Sequence, residues 1–258
     1  MKSFQGVSLF HSVKDHINET FLLSNLGQFY RLKLLCQMYL ADYGEPYKPE
    51  KEKSTVLEAI DFYQQALACA TGFKGTEFPL FESISKELAG TYLTYAVRLQ
   101  DNMGKLLECG DFQKLTSEVH EFLSRASAGY EYIRNSSKCS TSIVVLADQL
   151  VVEIMFRYGK LAQQSMQYHA AHTFSARKQR DCKRQAIEHF NDCFKYVLGK
   201  ISANTKKTAQ KQRQKVISFV ECVTAIRAVF EIDMCVGALD IIRDAYTQGA
   251  LIPAPFFL

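Results

Sequence analysis

Cys182, His189 and Cys193 carry metal-ligating side chains at spacings of seven and four residues. On one continuous helix that spacing brings all three near a common face, where they would supply three zinc ligands. A structural zinc site needs a fourth ligand and draws its ligands from paired knuckles across a loop, whereas here none is evident and Phe190 and Phe194 share the stretch. Core thiols and an interfacial histidine are therefore the expectation. His169 and His172 form an i, i+3 pair without the glutamate that would act as general base in HExxH, so a solvated or partner-facing role is expected. No serine stands in GxSxG, no cysteine lies beside an obvious histidine, and the segment from Gly104 to Gly110 carries no phosphate-cradling GK[ST]. Glu87 and Glu153 fall on otherwise apolar stretches, either as buried carboxylates or as partners in links between helices, the commoner case. A helical metal-dependent enzyme is thus the weakest reading; no catalytic residue, metal or cofactor is assigned.

Charge is the feature that departs from its background. Residues 177 to 215 carry twelve Lys/Arg against Asp181, Glu188 and Asp192, a local balance of +9 in a chain whose total is +4. Arg177, Lys178, Arg180, Lys183 and Arg184 crowd the start of this zone; Lys206, Lys207, Lys211, Arg213 and Lys215 follow near the next expected helix. Two antiparallel helices would present both groups together, and such a patch favours phosphates or acidic peptides. Three readings compete: a solvated helical face, an acidic protein partner or import receptor, and nucleic acid. Five to eight phosphate contacts would give a log-log salt slope of roughly −4 to −7 on duplex DNA. No zinc-finger, basic-zipper or homeodomain pattern is present, so base-specific readout has no support.

The elements that position these residues follow from composition. With 47% hydrophobic residues over 258 positions, disorder is disfavoured, and 5 Pro and 13 Gly are too few for collagen-like, low-complexity or turn-rich β classes. The longest apolar run is about six residues against the roughly 18 that a membrane-spanning helix needs. The first twenty residues scatter charges among apolar positions and offer no continuous signal-peptide core, so secretion is not expected. Eight widely spaced cysteines without a CxxC pair read as reduced, mostly buried intracellular thiols.

Apolar residues recur at helical steps along most of the chain. From His16 to Tyr43 the expected core stripe is Phe21, Leu22, Leu26, Phe29, Leu32, Leu35, Cys36 and Tyr39, capped by Asp15 and ended by Gly44, Pro46 and Pro49. A second helix starting near Glu52 or Ser54 would bury Val56, Leu57, Ile60, Tyr63, Ala66, Leu67 and Ala70, with Gly72 beyond its end. Pro79 opens a third, closed by Asn102 to Gly104, and Phe112 to Ile133 forms the next. A long helix follows the turn at Asn135. Arg177 to Leu198, ended by Gly199, then Thr205 to Met234 and Ala238 to Tyr246 complete the set.

About seven to nine helices joined by short loops, without a strand hairpin, point to an all-α solenoid of tetratricopeptide-like α-hairpins. Ala59-Ile-Asp-Phe-Tyr-Gln-Gln-Ala-Leu67 has the small-residue, aromatic and Ala-Leu placement that lets the second helix of such a hairpin nest against its neighbours, and Gln185-Ala-Ile-Glu-His-Phe190, with Phe194 four residues on, repeats it more loosely. One repeat domain is expected over residues 1–248, followed by an apolar tail over 249–258. Met1 to Lys14 is too apolar for a terminal cap, which suggests a chain that begins inside a longer array. Tyr92 and Tyr95 are read either as lining a concave groove for a protein partner or as packing between hairpins.

Asn18-Glu-Thr-Phe-Leu-Leu-Ser-Asn-Leu-Gly27, Ala59 to Leu67, Glu87-Leu-Ala-Gly-Thr-Tyr-Leu93 with Leu99-Gln-Asp101, and Gly237-Ala-Leu-Asp-Ile-Ile242 stand in an order that resembles the C-terminal repeat region of the erythroid differentiation-related factor 1 family. The likeness spans roughly residues 7 to 245 and is strongest from 18 to 103. It implies tetratricopeptide-type repeats within a much longer nuclear factor that promotes erythroid gene expression, with no catalytic residues. The resulting expectation is a non-catalytic, intracellular and nuclear protein-interaction scaffold in a transcription-related factor. Acidic-partner or nucleic-acid binding through the basic zone is the alternative.

Overall fold

The computed structural model describes residues 2–72, 78–107, 111–135, 141–172 and 175–208. Among them lie eight α-helices and no strand: α1 Lys2–Ser12, α2 His16–Asp42, α3 Pro49–Cys69, α4 Phe78–Asp101, α5 Met103–Leu107, α6 Phe112–Asn135, α7 Thr141–His172 and α8 Ala176–Thr208. The chain, expected as one repeat domain over 1–248, divides into two compact units, Met1–Asp148 and Gln149–Leu258. The tail at 249–258 and the helices expected from 209 onward lie outside the described residues.

In the first unit the breakers act as their chemistry dictates. The Asp15 carboxylate accepts the Asn18 backbone N–H at 3.2 Å and caps α2. Hydrogen bonds from the Asn18 side chain and backbone hold that carboxyl below its usual pKa. Gly44 adopts φ 109°, a region that a Cβ would strain, and α2 stops just before it. α3 begins at Pro49, earlier than Glu52 or Ser54, because a first-turn proline loses no helical hydrogen bond and its fixed φ suits that position.

α2 packs on α3, and α4 packs on α6. At the first contact Gly27 receives the Tyr63 ring so closely that a Cβ on the glycine would lie 2.8 Å from Cδ1. Ala59 and Ala66, one turn to either side of Tyr63, are fully buried and let the helices approach. At the second contact a Cβ on Gly129 would sit 2.8 Å from that of Ala89, so two small residues set the spacing there.

Buried charge joins the helices of this unit. The Arg98 guanidinium of α4 grips Glu52 of α3 in a fork, with Nη2 donating to Oε1 at 3.0 Å and Nε to Oε2 at 3.2 Å. It also donates to Asp42 of α2 at 2.6 Å and stacks over the Tyr47 ring at 5.2 Å. Burial, with the Glu52 charge adding to it, pushes the Tyr47 phenol up to about 12. Arg31 of α2 pairs with Glu87 of α4, which makes Glu87 a link between helices, and Lys86 on α4 itself adds a second contact at 3.4 Å.

The second unit repeats the hairpin chemistry. On α8, Ala186, Phe190 and Cys193 pack against Val152, Phe156 and Ala162 of α7. A Cβ on Gly159 would lie 2.6 Å from the Phe190 ring. Glu153 is an ion-pair partner of Arg157 one turn along α7, at 3.7 Å.

Three expectations from periodicity are corrected. Most of the stripe assigned to the core of α2 faces the other way: Leu23, Gly27, Leu34 and Met38 are buried and, of the expected residues, Leu22 is half-buried and Leu26 packs on the core, while Phe21, Phe29, Leu32, Leu35, Cys36 and Tyr39 are exposed. α2 is apolar on both sides, so a count of apolar positions does not choose between its faces. Leu57 of α3 is 47% exposed rather than core. Finally, α8 continues through Gly199 to Thr208 and takes in Thr205, because one interior glycine costs only about 1 kcal/mol against alanine and does not stop a long helix.

Candidate functional site

α3 and α6 border a groove of about 420 Å³ within the first unit. Lys53 and Leu57 come from α3; Lys114, Ser117, Glu121 and Arg125 come from α6. Ile60 and Phe122, both buried, form its apolar base. The helical repeat places Lys53, Leu57 and Ile60 at steps of four and three on one face of α3, and the same steps align Lys114, Ser117, Glu121 and Arg125 on α6. Lys53 Nζ reaches across the groove to Glu118 at 2.8 Å. Arg125 pairs with Glu121 at 2.6 Å and stands over the Tyr92 ring at 5.7 Å.

The lining holds three cations, two carboxylates and one half-exposed leucine, without a nucleophile beside a base. Such a surface can take an extended segment, with an apolar side chain on Leu57 and acidic groups toward Lys114 and Arg125.

A family model for erythroid differentiation-related factor 1-like TPR repeats matches residues 2–138, just over half of the chain. The chain belongs to this family. No curated protein and no solved structure matches it. The erythroid differentiation-related factor 1-like match takes in α1 through α6, and with them the whole groove. TPR repeats of this kind are protein-interaction modules, and no helix among the described residues is long and apolar enough to cross a membrane.

Tyr92 and Tyr95 are 5% and 1% exposed and press on Phe122 with centroids 5.9 and 4.9 Å away, so both rings lie between α4 and α6. The Tyr92 hydroxyl accepts a hydrogen bond from Gln64 at 3.0 Å. Burial drives the Tyr95 phenol far above its ordinary pKa, with the Glu118 charge adding to the effect.

In the basic zone Arg177, Lys178, Arg180 and Arg184 are exposed near the start of α8, and Lys183 is half-buried. Arg184 is engaged by Asp181 at 3.3 Å and Glu188 at 4.0 Å. Lys206 and Lys207 belong to the same α8, roughly 33 Å farther along its axis. Both named groups, as far as they are described, therefore lie on one helix, near its start and near its end. Lys211, Arg213 and Lys215 lie outside the described residues.

Among the described residues no three His, Cys, Asp or Glu side chains gather as a metal would require. Cys193 Sγ donates to the Val152 carbonyl at 3.7 Å, and His189 stacks on Tyr158 with centroids 5.4 Å apart. Burial raises the Cys182 thiol pKa. His172 stacks on Tyr168, while burial and the nearby Lys178 charge lower the His169 pKa.

The sequence alone does not mark Lys53, Leu57, Lys114 and Arg125 as a site. Their signal is faint in a sequence: an apolar residue one step outside the buried stripe of α3, and charges on a helix more than fifty residues away.

Proposed function

We propose that this chain is a non-catalytic scaffold whose groove between α3 and α6 holds an extended, partly acidic segment of a protein partner. The observation that carries the reading is Leu57, half exposed between Lys53, Lys114 and Arg125 at the mouth of a groove built on the matched repeats. An apolar anchor ringed by cations suits a peptide with one hydrophobic side chain and flanking carboxylates. The likeness to a nuclear, transcription-related family supports a nuclear setting for that partner.

The test is affinity capture from nuclear extract by the wild-type chain and by a Leu57→Asp, Lys114→Glu double variant, with and without nuclease. Nuclease-resistant partners that the variant loses while keeping its circular dichroism support the scaffold. Equal capture by both proteins removes the groove from the account.

A second reading rests on Arg177, Lys178 and Arg180, exposed together on the first turns of α8. In this reading the stretch contacts acidic peptide or nucleic-acid phosphates. Reversing all three to glutamate would then lower affinity for duplex DNA or RNA at low salt and flatten its salt dependence by about one unit of slope per lost contact. Unchanged affinity would discard it.

A further inference from the structure

α2 presents a second apolar face that the described residues leave open. Phe29 and Tyr39 are each 59% exposed and Tyr43 is 75% exposed; Phe21, Leu32 and Leu35 continue the same stripe. The stripe runs the length of the helix opposite Leu23, Leu34 and Met38, which face the core. Its four rings, each of about 150–250 Å² and half or more uncovered, leave on the order of 500 Å² open, and the leucines and Ile17 bring the total to about 800 Å². Single patches on monomers are about 300–600 Å², whereas about 800 Å² per partner is the share in a stable interface.

The charges of α2 decide what kind of partner fits. Glu19 turns to His11 and His16, Arg31 to Glu87, and Asp42 to Arg98, while Lys33 stands over the Tyr30 ring. Each charged side chain of the helix thus has a partner within its own molecule, and the stripe between them is uncharged. Covering it strands no ion, which removes the largest penalty to burial. An uncharged stripe also offers nothing to phosphates or to a strongly acidic segment.

The ends of the stripe are in addition self-complementary. Phe21 and Tyr39 are equally distant in sequence from Tyr30, and so are Ile17 and Tyr43. A two-fold axis crossing α2 at the level of Tyr30 would set Phe21 of one copy on Tyr39 of the other, and Ile17 on Tyr43. Both of these pairs are apolar, as an isologous interface requires at its ends, while nearer the axis Leu32 falls opposite Gln28 and Leu35 opposite Asn25.

We infer that two copies of this chain associate through the outward face of α2, the two helices antiparallel about an axis near Tyr30. This surface is separate from the groove between α3 and α6 and does not depend on the function proposed for it.

The experiment is sedimentation equilibrium of the full chain from about 1 to 100 µM. A discrete species of twice the 29.3 kDa monomer mass is expected. Phe29→Asp and, separately, Leu32→Asp should each weaken association at least tenfold, because a charge near the axis meets its own copy; both positions are exposed, so circular dichroism and melting temperature should hold. Leu57→Asp, in the groove, should leave the mass unchanged. A mass fixed at 29.3 kDa throughout overturns the inference, and so does open-ended growth past two copies. A doubled mass that neither α2 variant reduces, in proteins that remain folded, overturns it as well.

Discussion

The ring of Tyr63 fills the space that a Cβ on Gly27 would need, with Cδ1 2.8 Å from that position. Tyr63 is fully buried between α2 and α3, with Leu23 and Ile84 in the same core cluster. It cannot swing into solvent to make room. In the second unit Phe190 stands to Gly159 in the same way, at 2.6 Å.

Gly27→Ala should therefore destabilise the first unit by about 1–3 kcal/mol, the usual penalty for forcing a methyl group into a packed core. Gly159→Ala should act with the same sign in the second. Chemical denaturation checks both, and a stabilised Gly27→Ala protein would show that the two helices have room to separate.

The Tyr63 hydroxyl is buried without a hydrogen-bond partner, and burial together with the Glu87 charge pushes its pKa up to about 12. The unfolded phenol titrates near 10, so the folded state binds its proton more tightly. That contribution is whole below pH 10 and is lost as pH rises from 10 toward 12. Tyr63→Phe should be neutral or stabilising by up to about 1 kcal/mol at pH 7, since it removes an unpaired polar group. It should also lessen the alkaline loss of stability, leaving the share due to Tyr47 and Tyr95. Denaturation series at pH 7 and pH 11 measure both effects; an equal pH dependence in the two proteins would contradict the argument.

Arg98→Ala would leave Glu52, 2% exposed, as a buried carboxylate without its guanidinium. A loss of about 3–5 kcal/mol is expected. Arg98→Ala combined with Glu52→Gln should lose less than the sum of the two single changes, and a double-mutant cycle reads that coupling directly. Additive losses would mean that the two side chains act independently.

Tyr92→Ala and Tyr95→Ala should each cost about 3–5 kcal/mol, as deleted buried aromatics do. The measurement is equilibrium unfolding alongside partner capture. Folded variants that lose only capture would instead assign these rings to recognition.

Much of this architecture can be read along the chain. Asp15, Gly44, Pro49 and Pro79 mark helix ends through local backbone chemistry, which acts over a few residues and needs no tertiary context. The small-residue and ring pattern at Ala59, Tyr63 and Ala66, with its echo at Ala186, Phe190 and Cys193, identifies the hairpins because close helix contact demands those sizes at that period. Tertiary structure alone decided which face of α2 turns inward, since periodicity reports where apolar residues recur and α2 carries two apolar faces. It alone brought Arg98 to Glu52, 46 residues away, and set Leu57 at the rim of a groove instead of beneath it. Such pairings depend on how one helix is rotated and seated on another, which is fixed by the sum of packing across the unit.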